Sequence, residues 1–226
     1  MYTKSDVAGT IDHAVLKPFA TNDDVIAAAR MCDERGVFSI CVRPSDVKLV
    51  ALELAASKTR VAMVVGFPHG SNLSVVKALE AERGIEDGAD ELDMVMNIGK
   101  FLSGDYDCVR RDIEAVVAVA KSANALVKVI LETCFLSNEQ IAAACRIAEA
   151  AGADFVKTST GFGSGGATRE AVAVMIETVG RTMKVKASGG IRDWKMAVEY
   201  LDMGCARLGV GSTEALLDGA EIEEEY

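Results

Sequence analysis

An amphipathic run, a glycine and a short β-rich run follow one another four times along the chain. The glycine comes directly after the helical pattern each time, at Gly36, Gly88, Gly152 and Gly204. Glycine readily adopts the left-handed conformation in which many helices end. The repeat therefore predicts helices that alternate with strands, as in an α/β fold.

Two segments carry the side chains that begin a helix. Thr21-Asn22-Asp23-Asp24 and Ser137-Asn138-Glu139-Gln140 both match a capping box, and an alanine-rich run follows each. In a capping box, the first hydroxyl accepts a hydrogen bond from a backbone N–H of the first turn, and the third residue of the helix bonds back. We therefore expect helices to begin at these two positions.

The chain contains eight β-rich runs, at 10–13, 38–42, 61–66, 90–96, 126–132, 154–158, 184–187 and 206–209. Eight strands separated by helices favour a parallel sheet that closes into a single-domain (β/α)8 TIM barrel. A doubly wound open sheet is the alternative. Because no linker or change of composition divides the chain, residues 1–226 are interpreted as one domain, with a flexible acidic tail at about 219–226.

Alternation along the fourth strand separates its two faces. Leu92, Met94 and Met96 share one face, which we expect to lie under the helices. Asp93 then points into the barrel, where a structural core would prefer branched apolar side chains.

The next strands bring further charges to the inward face. The same alternation places Lys128 and Glu132 inward on the fifth strand, and Lys157 and Lys186 inward on the sixth and seventh. A single buried charge is often one half of a satisfied ion pair. Several charges on neighbouring strands favour a functional site instead, because each must be compensated.

An inward lysine among other charges is typical of Schiff-base chemistry. Only a neutral amine attacks a carbonyl, whereas a free lysine, with a pKa of about 10.4, is almost entirely charged at neutral pH. Burial and the positive charge of Lys186 would both lower the pKa of Lys157. Asp93 is the candidate proton-transfer group, acting through water or Lys128.

Glycines and hydroxyls follow the last three predicted strands. Thr160 and Gly161 follow the sixth, Gly189 and Gly190 the seventh, and Gly209, Gly211 and Ser212 the eighth. Glycine pairs are often plain turns, but the loops after strands seven and eight of TIM barrels frequently bind phosphate through backbone N–H groups. The pattern predicts a phosphate site, with 161–166 as either a mobile flap or a merely flexible connection.

The composition limits the classes of binding partner and the cellular compartment that we expect. A net charge of −10 argues against nucleic acid or an acidic membrane surface as a partner, and charged residues interrupt every apolar stretch. The six cysteines form no CxxC pair and no signal-like run begins the chain, which favours reduced thiols in the cytoplasm. His13 and His69 are too far apart to suggest a metal pair, so no metal is expected.

Several segments together resemble deoxyribose-phosphate aldolases, in order and over nearly the whole chain. They are FVKTSTGF at 155–162, VKASGGIR at 185–192, ELDMVMNIG at 91–99, KVILET at 128–133, IDH at 11–13, LKP at 16–18 and GFPHG at 66–70. The resemblance implies that Lys157 is the Schiff-base lysine, Lys186 perturbs it and Asp93 transfers protons. It also implies that Asp12 and Lys128 line the same pocket.

The implied reaction is the reversible cleavage of 2-deoxy-D-ribose 5-phosphate to acetaldehyde and D-glyceraldehyde 3-phosphate, without metal or organic cofactor, by a homodimer or homotetramer. One position departs from the family: Gly211 stands where a serine is usual, although Ser212 follows it. The alternatives are another Schiff-base barrel, such as a transaldolase or dehydratase, and a phosphosugar-binding barrel that has lost catalysis.

Overall fold

A computed structural model describes residues 2–180 and 182–219. Within them, eight parallel strands close into a barrel in the order of the chain. The strands are β1 Ile11–Val15, β2 Ser39–Val42, β3 Arg60–Val65, β4 Glu91–Val95, β5 Leu126–Ile130, β6 Phe155–Lys157, β7 Lys184–Ser188 and β8 Arg207–Val210. Pairing of β1 with β8 closes the barrel, so the expected TIM barrel is confirmed and the open-sheet alternative is wrong.

Helices surround the strands. They are α1 Lys4–Ala8, α2 Asn22–Arg35, α3 Val47–Glu53, α4 Ser74–Glu86, α5 Ile98–Leu102, α6 Tyr106–Ser122, α7 Asn138–Ala150, α8 Arg169–Thr178, α9 Trp194–Asp202 and α10 Thr213–Asp218. Short 3-10 turns occupy Pro44–Asp46 and Thr133–Phe135. No helix in these described ranges is both long enough and apolar enough to cross a membrane.

The predicted helix boundaries are confirmed. The Thr21 and Ser137 hydroxyls accept hydrogen bonds from the N–H groups of Asp24 and Gln140, whose side chains bond back to the cap. Gly36 ends α2 in the left-handed conformation with φ 66°. Gly219 similarly follows α10, and the rest of the predicted acidic tail lies outside the described residues.

The apolar core lies between the strands and the helices. Leu92, Met94, Val129, Val156 and Val185 all belong to it, as the alternation of each strand predicts. A smaller apolar cluster of Leu16, Cys41, Ala62 and Val64 occupies the barrel interior. The charged residues of β4 to β7 therefore share the interior with only a few apolar side chains.

Candidate active site

Asp93 is the centre of a buried ionic cluster inside the barrel. Its Oδ2 atom lies 2.8 Å from the Nζ atoms of both Lys157 and Lys186, and its Oδ1 atom lies 2.7 Å from Lys128 Nζ. All four side chains are less than a tenth exposed. The structure thus brings together the inward charges that the strand alternation predicts.

Asp12 on β1 extends the cluster across the barrel. Its Oδ2 atom lies 2.5 Å from Lys186 Nζ and 3.5 Å from Lys128 Nζ. Its Oδ1 atom accepts hydrogen bonds from Ser39 and Arg207, each at 2.6 Å. Lys186 is therefore held by both Asp12 and Asp93.

A Glu91–Arg207 pair completes this network, and sequence reasoning missed both residues. Arg207 binds Glu91 through two nitrogens at 2.9 and 3.2 Å, and Lys128 Nζ lies 2.6 Å from Glu91 Oε2. The guanidinium also stacks on the ring of Phe38, 3.3 Å from its centre. The alternation along β4 does predict the direction of Glu91, because this residue is two positions before Asp93 and therefore points inward as well.

The three lysines of the Asp93 cluster have different electrostatic surroundings. Burial lowers the pKa of Lys157, the charge of Lys186 lowers it further, and Asp93 opposes both effects. For Lys128 and Lys186, burial is outweighed by the neighbouring carboxylates, which raise the pKa of each. Burial would raise the pKa of Asp93, but the surrounding lysines hold it well below its usual range. Lys157 is therefore the lysine best suited to lose a proton.

Charge balance favours the same assignment. The hydrogen-bonded network joins four cationic side chains, Lys128, Lys157, Lys186 and Arg207, to three carboxylates, Asp12, Glu91 and Asp93. An uncompensated buried charge is costly, so a network of this composition is stabilised when one cation becomes neutral. Lys157, whose pKa is lowered, is the cation of this network that is most readily neutralised.

Lys157 opens into a small pocket at the carboxyl end of the barrel. The pocket is lined by Asp12, Ala14, Leu16, Cys41, Lys157, Thr160, Gly161, Lys186, Ser188, Gly189 and Gly209. Asp93 and Lys128 are fully buried beneath it. A carbonyl compound in this pocket would meet Lys157 and Lys186 first, with Asp93 behind both amines.

A glycine-lined pocket adjoins the lysine pocket and shares Gly161, Gly189 and Gly209 with it. Its other lining residues include Gly163, Gly165, Gly166, Gly190, Arg192, Gly211 and Ser212. Gly189 and Gly190 have φ of 84° and 74°, which side chains rarely adopt. The predicted phosphate-site residues except Thr160, which lines the lysine pocket, thus surround one cavity, and Arg192 adds a positive charge that the sequence pattern does not predict.

His13 is bonded outside the ionic cluster. His13 Nδ1 is 2.9 Å from Thr213 Oγ1, and burial lowers the pKa of His13 to about 4, so its ring is neutral. In the described part of the chain, no cluster of three or more His, Cys, Asp or Glu side chains is arranged to hold a metal ion.

Comparison with known proteins identifies the family. The model of the DeoC/LacD family aldolases matches residues 7–208. The chain belongs to the DeoC/LacD aldolase family. Aldolases of this kind are lyases, and the resemblance drawn from the sequence motifs is confirmed.

Individual members of the DeoC/LacD family match nearly the whole chain. The deoxyribose-phosphate aldolase of Thermococcus gammatolerans is 50% identical over 224 residues, 97% of this chain and 98% of the relative. The deoxyribose-phosphate aldolase of Thermococcus kodakarensis is 48% identical over 97% of this chain and 99% of the relative. A solved structure, described as a unique tetrameric deoxyribose phosphate aldolase from Aeropyrum pernix, has a TM-score of 0.90 and 33% identity, covering 96% and 91% of the two chains.

Proposed function

We propose that the protein cleaves 2-deoxy-D-ribose 5-phosphate reversibly to D-glyceraldehyde 3-phosphate and acetaldehyde, through a Schiff base on Lys157. The observation that carries this proposal is the buried amine of Lys157, which has a lowered pKa and lies between the charged network and an open pocket. The names of relatives that are 48 to 50% identical supply the substrate.

Lys157 performs the covalent steps in this proposal. Its neutral amine adds to the aldehyde carbon C1 of the open-chain sugar, and loss of water gives an iminium. The C3 hydroxyl then passes its proton to water, and the C2–C3 bond breaks with its electron pair moving toward the iminium. D-Glyceraldehyde 3-phosphate leaves, and protonation of the enamine at C2 followed by hydrolysis releases acetaldehyde and restores Lys157. Because the iminium is the electron sink, no metal or organic cofactor is needed.

Asp93 transfers protons in this proposal, and Lys186 lowers the pKa of Lys157. Asp93 Oδ2 is 2.8 Å from both amines, so it can exchange protons with Lys157 directly or through a water while the carbinolamine forms and breaks down. Lys186 keeps the pKa of Lys157 low and is itself held by Asp12 at 2.5 Å. Lys128 neutralises the far oxygen of Asp93 from beneath the pocket.

The glycine-lined pocket binds the 5-phosphate of the substrate. The glycine-rich backbone after β6, β7 and β8 and the positive charge of Arg192 suit an anion, in a protein whose net charge is −10. Ser212 supplies a hydroxyl beside Gly211, where the family usually has serine. The shared wall at Gly161, Gly189 and Gly209 places the phosphate next to the carbon that Lys157 attacks.

The enzyme acts in the cytoplasm, in deoxyribose catabolism, as a homodimer or homotetramer and without a nucleic-acid or membrane partner. A solved relative described as tetrameric supports self-assembly. Leu73, Val75, Val76 and Leu79, together termed the α4 face, are 44 to 72% exposed and offer an apolar surface for a second copy of the chain.

Borohydride trapping tests the covalent mechanism. The protein is incubated with deoxyribose 5-phosphate and borohydride, and peptide mapping by mass spectrometry locates the reduced adduct. We expect the adduct on Lys157 and none in Lys157→Met, whereas Lys184→Met, which removes an exposed lysine from β7, keeps the adduct. Folded wild type that forms no adduct and releases no acetaldehyde would overturn the proposal in favour of a phosphosugar-binding barrel.

A further inference from the structure

Glu132 lies directly beyond β5 in a conformation that a glutamate rarely adopts. Its φ is 55°, in the left-handed region, and only Asn124 shares this feature among the described non-glycine residues. The conformation costs on the order of 1–3 kcal/mol, so it persists only where surrounding contacts hold it. The side chain is 2% exposed, and within the described ranges it forms no ion pair. Burial raises the pKa of Glu132 and the positive charge of Lys157 opposes this rise, but no salt bridge within the described residues accounts for the conformation.

Thr160 of the next loop supplies the N–H and O–H hydrogen bonds of the Glu132 carboxylate, and Cys134 Sγ lies 4.0 Å from its Oε1. Thr160 donates its backbone N–H to Oε1 at 3.2 Å and to Oε2 at 3.3 Å, and its hydroxyl donates to Oε2. The Thr160 hydroxyl in turn accepts the backbone N–H of Phe162 at 2.9 Å. The Thr160 hydroxyl thus links the Glu132 carboxylate to the backbone of the glycine-rich segment that follows it.

The glycine-rich segment 161–166, which follows Thr160, is held close to its neighbours along its length. The rings of Phe162 and Phe67 meet edge to face with centres 5.3 Å apart. A Cβ added to Gly163 would lie 3.1 Å from Cδ of Glu132. At the far end, Ala167 donates its N–H to the Gly189 carbonyl at 3.0 Å. The segment thus lies directly over Glu132.

Segment 161–166 separates and shapes both pockets. Thr160 and Gly161 line the pocket of Lys157, whereas Gly161, Gly163, Gly165 and Gly166 line the glycine pocket. We infer that Glu132 is a positioning residue that holds segment 161–166 in place, and thereby makes the enzyme selective for phosphorylated over unphosphorylated sugars. This inference rests on the proposed aldolase function.

The contacts specify which kinetic constant Glu132 affects. Glu132 touches the loop rather than the reacting amine, so its loss displaces the phosphate site and leaves Lys157 and Asp93 in place. A displacement of about 1 Å in a positioned group can cost roughly 100-fold in rate or affinity. The penalty falls on substrates that use the glycine pocket, and a sugar without phosphate is largely insensitive to it.

Two variants and two sugars test the inference. We expect Glu132→Ala to lower kcat/KM for deoxyribose 5-phosphate by roughly 10- to 100-fold, mainly through KM, and to change kcat/KM for 2-deoxyribose by less than about 3-fold. Glu132→Gln keeps an oxygen that accepts a hydrogen bond from Thr160 and recovers part of the loss. Glu139→Ala, on the exposed start of α7, is the matched control and keeps wild-type constants.

Amide hydrogen exchange separates this inference from the aldolase proposal. Peptides that cover 160–166 should exchange faster in Glu132→Ala than in wild type, a result that requires no catalysis. Equal losses on both sugars, or exchange as slow as in wild type, would overturn the positioning role. Wild type that fails to cleave the phosphorylated sugar while the variant loosens the segment would sink the aldolase proposal and leave the loop contact intact.

Discussion

At the scale of single residues, the nearest neighbours of Lys157 determine how it titrates. Lys186 lies on the adjacent strand, and both amines share Asp93 Oδ2 at 2.8 Å. Replacing Lys186 by methionine removes a positive charge that lowers the pKa of Lys157, while Asp93, which raises it, remains. The pKa of Lys157 should therefore rise.

Lys186→Met should move the acid limb of the pH–rate profile to higher pH. The reactive form is the neutral amine, so activity increases as pH rises through the pKa of Lys157, and a higher pKa delays that increase. Activity at neutral pH should also fall by roughly 100-fold or more, within the range for general acid–base groups. The measurement is kcat against pH, with Lys184→Met as the control. An unshifted acid limb in a folded Lys186→Met protein would contradict the role of Lys186.

Arg207 supports the same network from below. It donates to Asp12 at 2.6 Å and to Glu91 at 2.9 Å, and it is mostly buried. Arg207→Met would leave two buried carboxylates short of a partner, and breaking a buried pair in this way typically costs about 3–5 kcal/mol. We expect a clearly lower urea midpoint. Arg30→Met, which breaks an exposed pair with Glu53, should leave the midpoint unchanged, and equal midpoints for the two variants would refute this account.

Strand alternation predicts the direction of a side chain but not its partner. It is sufficient to turn Asp93, Lys128, Lys157 and Lys186 inward, and the structure confirms all four. Which ammonium bonds which oxygen depends on barrel stagger, which a single strand does not encode. The position of Asp12 in the pocket is therefore predicted only by the family resemblance.

At the scale of elements, helix caps are local enough to be tested one at a time. Ser137 accepts the N–H of Gln140 at 3.3 Å, and Gln140 accepts the N–H of Ser137 at 2.9 Å, at the start of α7. Ser137→Ala should lower the free energy of unfolding by about 1 kcal/mol, the usual value of such a cap. Ser122→Ala, at the exposed end of α6, is the comparison and should have little effect in the same denaturation experiment. A Ser137→Ala protein as stable as Ser122→Ala would show that this cap is unimportant.

Element boundaries were predicted well where a local signal exists and less well elsewhere. The fifth β-rich run reaches residue 132, whereas β5 ends at Ile130 because Glu132 leaves the extended conformation for φ 55°. Glu132 is hydrogen-bonded to Thr160 of another loop, so nothing within the run indicates this turn. The close packing of α4 on β3 is similarly non-local: a Cβ on Gly84 would lie 1.8 Å from Met63 Sδ.

At the scale of the whole molecule, the number and order of strands determine where the chemistry lies. Eight parallel strands close into a barrel, and their carboxyl ends bring loops that are distant in sequence around one opening. The glycines after β6, β7 and β8 meet there for this reason alone. The sequence could predict this convergence, but not the shared wall between the two pockets, which depends on how segment 161–166 crosses over Glu132.

If the protein is an oligomer, we expect the α4 face to form the contact between copies of the chain. Its side chains are exposed although apolar, and a face of this kind is stabilised when a second copy covers it. Leu79→Glu puts a charge on that surface, where burial without a partner is costly. We expect a lower molar mass by light scattering or sedimentation. Leu52→Glu makes the same change at an exposed leucine on α3 and should keep the wild-type mass. If Leu79→Glu keeps that mass too, the α4 face is not the contact, and a monomeric wild type would remove the oligomer itself.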